Sequence, residues 1–571
     1  MSNLNLKGKL QQTYDAIVIG SGVSGGWAAK ELCEKGLKTI VLERGRMVKH
    51  VEDYPTSNLP PWKLPLGNQV PQDEIEKHYF KQSRTGYTVR QESKHWWVKD
   101  DENPYTEIKR FDWNRGYHFG GRSLLWGRQS YRWSNMDFEA NAKEGIGTDW
   151  PIRYKDIAAW YDYVEDHAGI SGANEGLEQL PDGKFLAPMD FTCLEKHVKE
   201  RIEKAYTDRI MTIGRVANLS QAHRGRSACQ YRNLCMRGCP YGAYFSTQSS
   251  TLPPAQATGN LTIRPFSIVT EIIFDDKKNK AVGVRIKDAE TLETTEFFAK
   301  IIFTCASALA STAILMNSKS NRFPEGMGAE SGELGHNLMD HHFKVGASGS
   351  YDGFKDQYYK GRRPNGIYIP RFQNLPWDKS TKKDYLRGYG YQGGGRRGNW
   401  QRAVAELGFG KEMKERMTEP GDWSFGITAF GECLPYHDNK IVLNEEVKDI
   451  YGLPTLTIDC EWKENEYLMR KDMIEQAAEM LEQAGLKNIS RNTEGSAPGQ
   501  GIHEMGTARM GTSPKNSVLN KWNQVWGAEN VFVTDGACMT SSACQNPSLT
   551  YMALTARAAD HAVKELKKGN L

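Results

Sequence analysis

Runs of consecutive apolar residues bounded by glycine mark the first ordered part of the chain. Ile17, Val18 and Ile19 lie in segment 14–20, which reads as a strand buried on both faces, as in a parallel sheet. The spacing Gly20-x-Gly22-x-x-Gly25 follows at once. A helical stretch over 27–35 comes next, then a second apolar strand over 39–42 that ends in Glu43-Arg44-Gly45. In a strand–turn–helix–strand unit, this glycine pattern permits a tight turn and lets a pyrophosphate approach the helix N-terminus. Glu43 stands about twenty residues on, where an acid accepts hydrogen bonds from a ribose. Dinucleotide binding is the expectation, and this unit alone does not separate NAD from FAD.

The same patterning recurs much later. Strands are predicted at 282–286 and 297–303, with a helix over 308–316 and a solvated hairpin tip at 275–280. Another buried strand, 531–534, ends in Asp535-Gly536, and an amphipathic helix follows over 548–566. A second glycine-rich loop holds Gly120, Gly121, Ser123 and Gly127. The nucleotide fold is therefore expected to be assembled from segments hundreds of residues apart.

The 571 residues are 39 % hydrophobic and 25 % charged, with 74 Lys+Arg against 70 Asp+Glu. That is an ordinary globular composition, and at about 150 residues per domain the length allows roughly four units. No basic block dominates, so nucleic acid is not an expected partner. The most apolar stretch, 301–316, is too short to cross a bilayer, and the start lacks the apolar core of a secretory signal. Taken alone, the chain reads as cytoplasmic.

His503 stands in the glycine-bounded segment 501–511, which has neither helical nor strand periodicity. A lone histidine there is ordinarily a hydrogen-bonded structural residue. The chemical alternative is a general base, because its pKa suits removing a hydroxyl proton as hydride leaves the adjacent carbon. Asn546 and Pro547 are expected to be the N-cap and first residue of the following helix. A helix N-terminus at that point would stabilise negative charge on a bound cofactor. His341 and His342 also invite a catalytic reading.

The stretches GSGVSGG…LERG, GGRSLLWG, TCASALASTAILM, HEMGTARMG and VTDGACMTSSACQNPSLT occur in the order found in glucose–methanol–choline (GMC) oxidoreductases. The chain resembles that family over essentially its whole length. The resemblance implies FAD rather than NAD and an α/β fold. It pairs an interrupted Rossmann-like FAD-binding domain with an α+β substrate domain built on a mostly antiparallel sheet. Segments 12–55, 100–180, 225–335 and 495–571 are assigned to the first domain, and 56–99, 181–224 and 336–494 to the second. Pattern and resemblance together give a cofactor-binding set. It comprises Gly20, Gly22, Gly25, Glu43 and Arg44 at the nucleotide end, with Gly120, Gly121, Ser123 and Gly127 around the flavin. Val269 is placed on the adenine side, Asp535 and Gly536 beside the phosphates and ribityl chain, and Pro547 at the start of the last helix. In the family a histidine and a second histidine or asparagine face the flavin. By motif position these are His503, taking the proton, and Asn546, holding the substrate oxygen. The similar family segment around His341 and His342 is mostly a structural bend, which implies at most an indirect role for both.

Ten cysteines do not suggest a disulfide scaffold in a chain this long. Three of them, Cys229, Cys235 and Cys239, crowd into 229–239 with the spacing C-x5-C-x3-C-P, which suits a soft-metal site. Three readings compete: a three-thiolate iron–sulfur cluster, most simply 3Fe–4S; structural zinc with His223 as a fourth ligand; or thiols without metal, paired or not. Most GMC oxidases lack this loop. It is similar to one in the catalytic subunits of bacterial FAD-dependent glucose dehydrogenases and glucoside 3-dehydrogenases, where the cysteines hold a cluster. That similarity implies a dehydrogenase that passes hydride to FAD and electrons out through the cluster, with oxygen a poor acceptor. The implied substrate is a sugar or glucoside oxidised at ring carbon 3, with carbon 1 of free glucose as runner-up. The implied partners are a small export subunit and a cytochrome c-type acceptor, which would make the chain periplasmic by co-export rather than cytoplasmic. No CxxCH haem motif is present, so the chain does not itself carry that acceptor. Two other readings stand beside these: an ordinary peroxide-forming oxidase, and a zinc-stabilised nucleotide-binding module without turnover. Within 336–493, Tyr358, Tyr359, Tyr389, Tyr391 and Trp400, with polar neighbours such as Gln392, suit either a sugar's CH face and hydroxyls or plain core and dimer surface.

Overall fold

The computed structural model describes residues 12–358, 363–398 and 409–571; Tyr359 and Trp400 lie outside them. Ala16–Ile19 is fully buried and pairs in parallel with Thr39–Leu42 on one side and Ile301–Thr304 on the other. Leu261–Arg264 extends this sheet at one edge. Ala528–Val533 extends it at the other, with antiparallel Gln524–Val525 outermost, giving six strands. Such strands are apolar throughout because both faces are covered. On one face, Ala28 and Leu32 of the Val23–Glu34 helix and Ala559 and Val563 of the Ser548–Lys567 helix pack with Val18, Val41 and Phe532. The other face packs on the Ala308–Asn317 helix and on an antiparallel sheet of Ser267–Asp275, Lys280–Asp288 and Thr294–Phe298.

Two expected elements differ. The first helix starts at Val23, because the glycine turn feeds straight into it. The apolar run 297–303 is not one strand: Thr294–Phe298 belongs to the antiparallel sheet and Ile301–Thr304 to the parallel one, with the chain crossing between them at Ala299 and Lys300.

A second six-stranded sheet is antiparallel throughout, in the order Lys487–Asn492, Gly346–Tyr351, Trp423–Gly431, Tyr389–Arg397, Ile367–Ile369 and Thr212–Ile213. Its middle strand alternates cleanly. Trp423, Phe425, Ile427 and Ala429 are buried against Met469, Met473 and Ala477 of the Glu464–Gln483 helix, while Ser424, Gly426, Thr428 and Phe430 face the other way. Each large apolar side chain buried this way contributes roughly 1.5–3 kcal/mol, and a one-residue slip would expose the whole set, so the register is pinned. Tyr389 and Tyr391 share the buried face, donating hydroxyl hydrogen bonds to Asp472 Oδ2 (2.8 Å) and to the Met473 carbonyl (2.6 Å). These two tyrosines are core. A small third sheet links Thr106–Glu107 with Pro454–Asp459 and Lys440–Lys448. The architecture is an interrupted Rossmann-like sheet joined to a mostly antiparallel one. Among the described residues, no helix is long and apolar enough to cross a membrane.

Candidate active site

A cavity of about 730 Å³ runs from the Gly20–Gly22 turn to His503 and Asn546, with walls from both large sheets. At its nucleotide end, Gly20 adopts φ +89°, and a Cβ added at Gly25 would lie 1.9 Å from the Gly20 carbonyl oxygen. Gly25 therefore seats the helix on the turn and does not itself line the cavity. A Cβ at Gly22 would meet nothing within 4 Å. No side chain caps this helix, so its first N–H groups face the space that an anion would fill.

Glu43 lines the cavity with its carboxylate already engaged. It accepts hydrogen bonds from the Ser21 N–H (3.1 Å), the Ser21 hydroxyl (2.6 Å) and the Gly45 N–H (2.9 Å), while burial pushes its pKa up. Arg44 also faces the cavity and donates to Asp449 Oδ2 at 2.7 Å; Val269 lies on the same wall. From the second glycine loop, Gly121, Ser123 and Gly127 line the cavity. Gly120 does not; its N–H donates to Ser21 Oγ at 2.8 Å and ties the two loops together. Asp535 accepts from the Ala537 N–H (3.0 Å) and from Ser311 Oγ, and burial raises it to about 6. Asn114 Oδ1 and Tyr551 Oη lie along the lining, buried and without a protein partner. An uncapped helix start, a side-chain-free approach at Gly22 and spare buried polar atoms fit a dinucleotide.

At the far end a chain of hydrogen bonds fixes every proton. The His341 Nε2–H donates to the Ala543 carbonyl, which leaves His341 Nδ1 as an acceptor for the Nδ1–H of His503 at 2.7 Å. The lone pair of His503 Nε2 is thereby left toward Asn546, whose Nδ2 approaches it at 3.3 Å. Asn546 is oriented in turn because its Oδ1 accepts from Gln392 Nε2 at 2.6 Å. Burial first, then the neighbouring His341 and Arg122, hold His503 well below the ordinary histidine value, and burial holds His341 at about 4. Both imidazoles are therefore neutral near pH 7. Asp340 supports the loop, accepting the His503 N–H at 3.0 Å and the Gly501 N–H at 2.9 Å; burial and then the Glu504 charge raise it to about 7. Arg122, on the cavity wall, forms a two-pronged ion pair with Glu504 at 3.0 and 2.9 Å.

Several expectations are corrected. Asn546 is not the N-cap: Pro547 takes that position at φ −84°, ψ −11°, and the helix starts at Ser548. Asn546 stands one residue further out, free to bond Gln392 and His503, and Pro547 does not line the cavity. His341 does more than turn the chain, since its ring touches His503. His342 points away, to the Glu432 carbonyl at 3.2 Å. Arg122, Asp340 and Glu504 carry no pattern of their own in the sequence, although Arg122 and Glu504 sit inside segments that do; Gln392 stands out there only as a polar neighbour of Tyr391.

The cysteine loop also departs from expectation. Met236 reaches the cavity wall, and Arg237 clamps the loop through the Leu59 carbonyl at 2.8 Å and through Glu92. Cys229, Cys235 and Cys239 are free thiols, and among the described residues no three His, Cys, Asp or Glu side chains converge as a metal-ligand set. His223 is engaged with the Asp166 carbonyl at 2.6 Å. As placed, these side chains fit neither the cluster nor the zinc reading.

The family description GMC oxidoreductase matches the chain over residues 14–343 and again over 435–555. A 2-methyl-1,2-propanediol dehydrogenase from Mycolicibacterium austroafricanum is 28 % identical over 96 % of this chain and 94 % of its own. The fructose dehydrogenase large subunit of Gluconobacter japonicus is 25 % identical over 97 % and 98 %. A solved structure of formate oxidase from Aspergillus oryzae RIB40 superposes with TM-score 0.57 at 14 % identity, covering 99 % of this chain and 100 % of that one. The cavity and the cofactor it fits thus agree with the matched motifs, and the chain belongs to the GMC oxidoreductases, FAD-dependent enzymes acting on CH–OH groups.

Proposed function

We propose that this enzyme is a dehydrogenase of polyhydroxylated alcohols that oxidises a secondary carbinol of a sugar or glucoside, at ring carbon 3 of the sugar. One observation carries the reading: the Nε2 lone pair of His503 is held on the cavity side by hydrogen bonds from both directions. FAD, when bound, supplies the acceptor for the hydride leaving the carbinol carbon. The residues of the chain supply the rest. Gly22, Gly121, Ser123 and Asp535 lie where they would hold the cofactor. With the substrate hydroxyl entering between them in place of their 3.3 Å contact, His503 takes the hydroxyl proton at Nε2 and Asn546 donates an Nδ2–H to the substrate oxygen. Its neutral form makes His503 available as a base without prior deprotonation. Relatives named for oxidising a branched diol and a sugar support an alcohol that carries more than one hydroxyl.

In this reading electrons leave to a cytochrome c-type acceptor, and the chain reaches the periplasm with a small export subunit. A route through Cys229, Cys235 and Cys239 rests on their spacing and on the loop's resemblance to cluster-holding dehydrogenase subunits, and no step is assigned to it. The test is an anaerobic visible spectrum with iron analysis, before and after adding a methyl glucoside. Flavin bands bleached by the glucoside, and reoxidised by cytochrome c much faster than by oxygen, are expected. Rapid reoxidation by oxygen with peroxide release would make the enzyme an oxidase, and bands that no alcohol bleaches would remove the reading. Iron in stoichiometric amount would restore the cluster despite the present side-chain placement.

His341 acts here as a positioning residue. His341→Phe keeps a ring but removes both hydrogen bonds, freeing the His503 tautomer. The expected result is a fall in kcat of roughly 10²-fold with KM and FAD content little changed. A loss of FAD in step with kcat would make the role structural, and an unchanged kcat would break the relay.

A further inference from the structure

Gln392, the residue that orients Asn546, also borders a second cavity of about 990 Å³. This cavity shares Gln129, Phe343, Gln392 and Phe430 with the first. Its floor is the face of the antiparallel sheet turned away from the Glu464–Gln483 helix, and strand register explains its depth. Ser348 lies opposite Gly426, and Gly426 opposite Gly394. Gly366 continues the row on the next strand, one residue before the Ile367–Gly393 pair. Four strands are thus crossed with no side chain larger than that of serine. The neighbouring row toward the reacting groups carries Thr428 and Gln392. The result is a trough that leads to His503 and Asn546.

The charges around the trough balance. Among the described residues lining it, Asp190 and Glu195 oppose Arg363 and Arg396. Glu195 is moreover paired with Arg363 at 2.7 Å, both nearly covered, so no net field selects an ionic ligand. What remains for recognition is neutral. Asn365, only 7 % exposed, and Gln129 hydrogen-bond one another at the wall, and Ser348 and Thr428 offer hydroxyls. Where the two cavities meet, Phe343 and Phe430 stack with centroids 5.1 Å apart at 11°, an apolar platform suited to a ring's CH face.

We propose that the second cavity seats the non-reacting part of the substrate, a neutral polyhydroxylated group such as the second sugar of a glycoside, while the reacting carbinol lies at His503 and Asn546. This rests on the alcohol-oxidising reading above. A cationic aminosugar and a short diol both fit it less well, the first for want of an unpaired acid and the second because it leaves the trough empty.

Gly426 provides the test. A Cβ there meets Ser348 Cβ at 3.3 Å, a contact that Ser348 must relieve by a few tenths of an ångström, and no backbone atom closer than 3.7 Å, so added atoms enter the trough without striking the main chain. In the holoenzyme, calorimetric binding of trehalose is compared with flavin reduction by 1,2-propanediol. Gly426→Val is expected to weaken trehalose binding by about tenfold or more, and Gly426→Ala by less, with flavin reduction by the diol unchanged within about twofold. Equal trehalose binding across wild type and both variants would overturn the proposal, as would absence of trehalose binding to the wild type. Failure of the wild type to oxidise any alcohol would instead remove the catalytic reading and leave the binding comparison intact.

Discussion

His503→Gln is expected to lower kcat by about 10²–10⁴-fold while leaving FAD bound. Glutamine can still hydrogen-bond a hydroxyl, but it cannot take a proton at that position. The backbone N–H of residue 503 keeps its bond to Asp340, so the loop should hold its course. Residual activity should climb with pH, since solvent hydroxide is then the remaining base. The wild type should behave differently. The active form of His503 is the neutral one, and burial, His341 and Arg122 all oppose its protonation. With the folded-state pKa depressed, kcat/KM should stay level from neutrality to well below pH 6.5, the ordinary value, and only then fall. Steady-state and stopped-flow measurements across pH check both statements. A variant that keeps kcat within tenfold, or a wild-type acid limb above pH 6.5, would take the base role from His503.

The second large effect separates two glycines of one motif. Gly25→Val should fail at the level of the fold. Its Cβ would press on the Gly20 carbonyl at 1.9 Å, a backbone contact that cannot swing aside, and overpacking of this kind costs about 1–3 kcal/mol or more. Gly22→Ala meets nothing, so its thermal melting without cofactor should match that of the wild type. Its added methyl nevertheless projects where a pyrophosphate approaches the helix, and FAD affinity should fall by at least about tenfold. The ratio of flavin to protein absorbance, read beside the melting curve, distinguishes the two. Full FAD affinity in Gly22→Ala would mean that the cofactor passes elsewhere.

The parts legible in the sequence were those governed by local rules. Ile17–Ile19 with the glycine turn, and the run ending at Asp535, are continuous apolar strands capped by residues of restricted type, and both lie in the parallel sheet. The misreadings arose where a local rule had two outcomes. Apolar residues 297–303 satisfy one strand or two, and only the partner sheets decide. An asparagine before proline makes a good N-cap, yet the Asn546 amide is taken up by Gln392 and His503, so it serves the site and caps no helix N–H. Tyr389, Tyr391 and Gln392 sit almost side by side in the sequence. Strand parity sends the two tyrosines into the core and Gln392 to the cavity. His341 was hardest to read, because its importance lies in a partner 162 positions away. The three cysteines show the opposite case, a spacing with a strong chemical meaning that the placed side chains do not share.

The parallel sheet has a consequence for biosynthesis. Ala16–Ile19 lies beside Ile301–Thr304, and that strand beside Ala528–Val533. At usual rates of translation, roughly half a minute to nearly two minutes separate the ribosomal emergence of the first and last of these. The earliest strand keeps one exposed edge until Ile301–Thr304 arrives, that strand then keeps one until Ala528–Val533 arrives, and the last helix, which covers one face, does not exist before then. The nascent chain is therefore a natural client for chaperones, and cofactor loading belongs after release from the ribosome. Shortening the C-terminus by its final helix should harm the N-terminal nucleotide turn as much as any nearby change.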